Sequence, residues 1–225
     1  MNKVGNLIKR VLLFFAGMSI IQFGVALFLN TGIGSDSITV FTEGLAKMLD
    51  KTPLKDLSIV QAIAGKAAVT PGVANMIILT IFFIIILLVD RKRINIGTLI
   101  CVIGVGPIID LNVRIISYFN VGSYNYVLKM ILVVLGCFII SIGFSILSAS
   151  DIGVAPNDII PFILVDKTKV EYRFVRIGLD AIFLIGGFIL GGKIGVGTII
   201  SMLCIGPFIQ FCLPHGSKLV NKIVN

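Results

Sequence analysis

Tryptophan is absent from this chain, histidine occurs once, and Lys, Arg, Asp and Glu together make up only 13% of the 225 residues. Soluble domains carry about a quarter of their residues as charges, so this chain is too poor in charge to solvate a globular surface. It also lacks the short apolar runs of about 4–8 residues that buried strands of a soluble α/β domain would show. Val73–Val89 runs 17 residues without a charge and Met130–Ser150 runs 21. A helix needs about 20 residues to cross a hydrocarbon core of about 30 Å, and these lengths suit that task. The four cysteines (Cys101, Cys137, Cys204, Cys212) show no metal-ligand spacing and read as buried, inert thiols. His215, between Pro214 and Gly216, is expected in an interfacial loop after the last apolar run. No nucleophile–base pair, metal cluster or nucleotide loop is visible, so neither an enzyme nor a cofactor is expected. The basic residues are scattered, which excludes nucleic acid as a partner, and the net charge of +8 favours anionic lipid instead.

What the chain does have is 57% hydrophobic residues, a mean hydropathy of +1.08, and the same text written twice. Arg93–Asp110 and Lys193–Gln210 match at an offset of 100, with Gly97-Thr98 falling on Gly197-Thr198 and Gly106-Pro107 on Gly206-Pro207. A second echo, at an offset of 119, pairs Gly17, Ile20, Ile21, Gly24, Ile33 and Gly34 with Gly136, Ile139, Ile140, Gly143, Ile152 and Gly153. A longer loop in the first half, about residues 50–72, accounts for the difference in offset. These matches predict an all-α, polytopic membrane protein with six spans, at 11–30, 73–89, 95–117, 127–149, 174–191 and 195–213. Residues 1–118 form the first three-helix repeat and 119–225 the second, together one integral membrane domain. The first apolar run is too long for a signal-peptide core, and the repeat needs it as partner of span four.

Three spans per repeat is odd, so the second copy is expected to lie upside down. With both termini inside, the inner segments hold twelve basic residues and the outer segments seven. Equivalent loops differ in the same sense: Asp90-Arg91-Lys92-Arg93 joins spans two and three, whereas Lys193 is the one basic residue between spans five and six. Between spans, apolar residues at Ile38, Phe41, Leu45, Met48 and Leu49 predict an amphipathic helix over 36–50, capped by Ser35, Asp36 or Ser37. It would lie along the outer interface or dip into the protein. Asn157–Val165, containing Pro161 and capped by Asn157 or Asp158, is its counterpart, and 58–70 predicts a further short helix.

Gly32-Ile33-Gly34-Ser35-Asp36-Ser37 and Gly153-Val154-Ala155-Pro156-Asn157-Asp158 follow spans one and four. Both resemble the Gly-x-Gly-x-x-Asp signature of the YczE/YyaS/YitT-type bacterial integral membrane proteins, although the first copy lacks the proline. The Ile-Gly-Thr and Gly-Pro pairs of spans three and six fit the same pattern. The resemblance implies the architecture and a bacterial inner-membrane location, and carries no chemistry.

Candidate site residues follow from polar groups and helix breakers at membrane depth. Gly106-Pro107 and Gly206-Pro207 are expected to kink or break their helices, and matching interruptions in two halves point to a transporter's binding site. Alternatively, they only shape packing. Asp110 and Gln210 follow the prolines by three residues, and Asp180 lies deep in span five. Each aspartate has an arginine four positions away (Arg114, Arg176), so each is either a pathway group or half of a local ion pair. The loop residues Gly34, Asp36, Gly153, Asn157 and Asp158 either present free N–H groups to a polar substrate or merely start helices. Gln22 reads as an interhelical hydrogen bond, and Gly17, Gly24, Gly136 and Gly143 as close helix packing. The function expected is a small secondary transporter or substrate-binding membrane subunit for a small polar solute. A non-transporting accessory protein acting on a membrane partner is the alternative, and a homodimer is compatible with both.

Overall fold

A computed structural model describes residues 3–51 and 71–224, and the segment 58–70 lies outside them. Eight α-helices occur among the described residues: α1 Lys3–Thr31, α2 Ser37–Lys51, α3 Pro71–Asp90, α4 Ile96–Ser117, α5 Tyr126–Ala149, α6 Pro156–Thr168, α7 Tyr172–Ile189 and α8 Val196–Val224. Five of them, α1, α3, α4, α5 and α8, are long and apolar enough to cross a membrane. The helix at the expected fifth span, α7, is not among these five, because Arg173, Arg176 and Asp180 all fall within its 18 residues.

The core is a crossing of α1 and α5 held by glycine. A Cβ on Gly17 would stand 2.8 Å from the Gly143 carbonyl oxygen, and one on Gly24 would stand 2.9 Å from that of Gly136. Lipid gives no hydrophobic drive for helices to associate, so backbone approach through small residues supplies the packing attraction instead. Phe14, Met18, Leu79, Cys101, Val105 and Leu147 fill one side of this crossing. Phe28, Val133, Cys137, Phe144, Ile205 and Ile209 fill the other. Outward, the helices present large apolar side chains such as Leu12, Ile84, Ile103, Ile131 and Leu203, a surface suited to hydrocarbon.

The expected amphipathic helix is present as α2, and it enters the protein. Ser37, Ile38, Thr39, Val40 and Thr42 are buried, and Gly44 packs against the Gly187 carbonyl of α7. Lys47 Nζ donates to the Gly191 carbonyl at the far end of the same contact. The second short helix, α6, starts earlier than expected. Pro156 occupies its first turn, its N-cap is Ala155, and neither Asn157 nor Asp158 caps it. Proline's fixed φ suits that position, which frees Asp158 for other partners.

Neither Gly-Pro pair breaks its helix: α4 runs through Pro107 and α8 runs through Pro207 and Pro214. His215 accordingly lies within α8 and not in a loop, its Nδ1 2.9 Å from the Phe211 carbonyl oxygen.

Candidate functional site

Each glycine loop is set by the start of a helix far away in sequence. Gly197 N donates to the Ile33 carbonyl at 3.0 Å, and Gly97 N donates to the Ile152 carbonyl at 3.1 Å. Gly34 (φ +126°) and Gly153 (φ +149°) adopt backbone conformations that other residues rarely take. A Cβ at Gly34 would stand 2.7 Å from Thr198 N, and one at Gly153 would stand 2.7 Å from Thr98 N. The two threonines close their own helix starts in the same way. Gly195 N and Asn95 N donate to the hydroxyls of Thr198 and Thr98, whose own N–H groups donate back to the Gly195 and Asn95 carbonyls. The Gly-Thr pairs therefore anchor the loops, and the loops in turn aim α2 and α6.

Both short helices begin at one central cavity of about 80 Å³. Asp36, just before the first, and Thr39 within it, with Asn157 and Asp158 of the second, lie on its wall with Arg176 of α7. Val105 and Ile109 of α4 and Ile205 and Ile209 of α8 line the same space. Gln22 of α1 and Asn75 of α3 complete its polar lining.

Charge in this site is concentrated and unequal. Arg176 donates to Asp158 at 3.0 Å and to Asp180 at 3.4 Å, so one guanidinium bridges two carboxylates. Asp36 is held differently: its carboxylate accepts from the backbone N–H of Thr39 at 3.3 Å and from the Thr39 hydroxyl. Burial pushes the carboxyls of Asp36 and Asp158 above their ordinary values. Thr39 and Arg176 oppose this at Asp36, and Arg176 opposes it at Asp158. The helix ends alone would suit an anion, yet aspartates already occupy both.

The comparisons with known proteins show one family and name no chemistry. The model of a family of unknown function, DUF6198, matches residues 8–214. The chain belongs to this family. It is 26% identical to the uncharacterized membrane protein YczE of Bacillus subtilis (strain 168), over 97% of this chain and 92% of that one. It is 25% identical to the uncharacterized protein YyaS of the same organism, over 88% of this chain and 89% of that one. An uncharacterized protein of Haemophilus influenzae is 22% identical over 91% of this chain and 84% of that one. No solved structure matches. The chain is thus a multi-pass membrane protein of the DUF6198 family, consistent with its five apolar helices.

Of the residues singled out from sequence, Asp36, Asn157 and Asp158 come together at the cavity, with Asp180 one ion pair behind them. Gly34 and Gly153 are loop anchors. The Gly-Pro group separates from the site. Gly106 is buried against Met76 and the Gly72 carbonyl, while Pro107, Pro207 and Gln210 are exposed on the outer faces of their helices. Gly206 is buried near the Arg173 backbone. Asp110 Oδ1 accepts from Gly72 N at 3.3 Å, fastening the start of α3 to α4. Among the polar wall residues, Thr39 and Asn75 were not singled out from sequence, Gln22 was read as an interhelical hydrogen bond, and Arg176 only as a partner of Asp180. Isolated amides in apolar spans, at 22 and 75, were the available signal.

Proposed function

We propose that this DUF6198 protein is a small secondary transporter, or the solute-binding subunit of one, that takes a small polar solute in the central cavity. The observation that carries the reading is the cavity itself. It lies where both short helices begin, and it holds Asp36, Asp158 and Arg176 among apolar walls. Buried ionisable groups at membrane depth are costly, and sites of passage are where such groups are retained. Half-length helices ending at the midplane, with irregular backbone facing a cavity, are a recurring way to build transporter sites.

The architecture proposed with it is two inverted three-helix repeats with α7 as the sixth span. Paired contacts speak for this arrangement: Gly17 on Gly143 against Gly24 on Gly136, and Ile33 on Gly197 against Ile152 on Gly97. Exposed Ile182, Ile185 and Phe188 give α7 a lipid-facing side, while Arg176 and Asp180 are buried on the other. The basic residues at 91–93 favour a cytoplasmic location for both termini, in a bacterial inner membrane. Cysteines introduced at Lys92 and Lys193 should label from opposite sides, and labelling from one side would refute the inversion.

No catalytic role is proposed. An accessory role would explain the amphipathic helices and the few deep charges; against it, α2 packs Leu45, Ala46 and Leu49 on α3 and Gly44 on α7. The direct test is thermal unfolding of the purified chain against a library of ions, amino acids, vitamins and nucleosides, followed by uptake of any hit into proteoliposomes. A ligand at about 100 times its Kd should add about 2.7 kcal/mol to the folded state. A hit that Asp158→Asn abolishes supports the reading. Stabilisation by no solute, together with a membrane protein that co-purifies in mild detergent, would favour the accessory role.

A further inference from the structure

Two uncharged side chains of the cavity wall are without partners. Gln22 is 5% exposed and Asn75 is 8% exposed, and both line the cavity. Neither side-chain amide makes a hydrogen bond among the described residues. Buried amides are almost always satisfied, so a pair of them turned into one small cavity marks a place where something else supplies the partner.

The charge around them says what kind of partner. Asp36, Asp158 and Asp180 stand against one guanidinium, Arg176, whose two ion pairs go to Asp158 and Asp180. Asp36 has the donors of Thr39 and no ion pair among the described residues. The starts of α2 and α6 contribute roughly half a positive charge each. With all three carboxylates ionised, one guanidinium and two helix ends leave about one negative charge. A single monovalent cation would balance it and offset the burial that opposes ionisation. A divalent ion demands more carboxylate oxygens in one shell, and no group of three His, Cys, Asp or Glu among the described residues is placed to hold a metal. A cavity of about 80 Å³ has room for a compact ion and a few waters, at about 10–15 Å³ per water.

We infer that the cavity binds one compact monovalent cation, an alkali ion or a small protonated amine, between the Asp36 carboxylate and the amides of Gln22 and Asn75. The inference rests on reading the cavity as a solute site and narrows that reading to a charge class. It also assigns a role to Asp36, which would serve the cation while the cavity is loaded and Thr39 alone while it is empty.

The test is the thermal unfolding midpoint of the full chain in detergent, at constant ionic strength, starting from choline chloride. Lithium, sodium, potassium, ammonium and methylammonium chlorides then replace the choline in turn. The expected result is a saturable rise of several degrees with at least one of them, and the comparison of alkali with ammonium ions separates the two sources. Gln22→Leu and Asn75→Leu should each weaken the apparent affinity at least about tenfold. Gln22→Glu should keep the response, and Gln210→Leu, on the outer face of α8, should not alter it. If Gln22→Leu does not fold, Asn75→Leu reads the same contact from a different helix. A flat response to every cation overturns the inference, as does a response that persists unchanged in both leucine variants. If instead a neutral or anionic solute stabilises the chain without any cation requirement, and Asn75→Leu abolishes that effect, the cavity remains a solute site and only the charge class fails.

Discussion

Asp36 and Asp158 follow matching glycine loops, yet one is held by its own helix and the other by a neighbouring helix. Asp36 accepts from Thr39 in the first turn of α2, whereas Asp158 reaches Arg176 of α7. The loops that deliver them are equivalent in detail, each locked by a Gly-Thr helix start from the distant half of the chain. The elements that meet them are not: α7 brings a cation to the cavity, and α3 brings the neutral Asn75. The backbone framework recurs and the chemistry does not. A site at the junction of two similar units can in this way be symmetric in shape and polarised in charge.

Arg176→Leu is the strongest test of that polarity. It would leave Asp158 and Asp180 buried without their shared partner, a loss of about 3–5 kcal/mol by analogy with other broken buried pairs. Asn75→Leu removes an amide that has no partner to strand, so its cost should stay within about 1 kcal/mol. Thermal unfolding of the two variants should therefore differ widely, and adding Asp158→Asn and Asp180→Asn to Arg176→Leu should restore most of the loss. Equal losses from Arg176→Leu and Asn75→Leu would break the comparison.

The recurring framework is tested by Gly34→Ala and Gly153→Ala. Each substitution puts a Cβ within 2.7 Å of a backbone nitrogen in a conformation that alanine avoids. Strain of this kind costs about 1–3 kcal/mol per site. Both variants should lose a similar amount of thermal stability, and a large loss at one alone would argue against equivalent loops.

Much of this arrangement could be read in advance because it depends on periodicity and spacing. Apolar runs located the five long helices to within a few residues at most ends, and the glycines at 32, 34 and 153 located the turns that precede α2 and α6. Charge was harder to read. A span was expected at 174–191, and α7 is there, but Arg173, Arg176 and Asp180 leave it no stretch of 18 residues with two charges or fewer, whereas the charges of α1 sit at its start. That Arg176 reaches Asp158 as well as Asp180 depends on how α6 packs on α7, which spacing along one helix does not encode. Pro161 and Pro156 obscured the start of α6, since proline at a first helical turn is neutral while proline further in is disruptive. The Gly-Pro pairs misled for a related reason. Their recurrence at an offset of 100 signalled importance, and only the helix orientation tells that the prolines face away from the cavity.

The smallest expected effect belongs to those prolines. Pro107 and Pro207 sit on exposed faces of unbroken helices, and the buried member of each pair is the glycine. Replacing either proline with alanine restores one backbone donor and removes an exposed ring that does not line the cavity. Stability should change by no more than about 1 kcal/mol in either direction, since lost rigidity and regained hydrogen bonding oppose each other. Binding of whatever stabilises the parent chain should be unaltered in both variants. Gly106→Ala makes the contrasting control, because its Cβ would stand 2.7 Å from the Met76 side chain and 2.8 Å from the Gly72 carbonyl oxygen. If Pro207→Ala abolished binding while folding was retained, the site would extend to the outer face of α8, and the cavity between α2 and α6 would be only part of it.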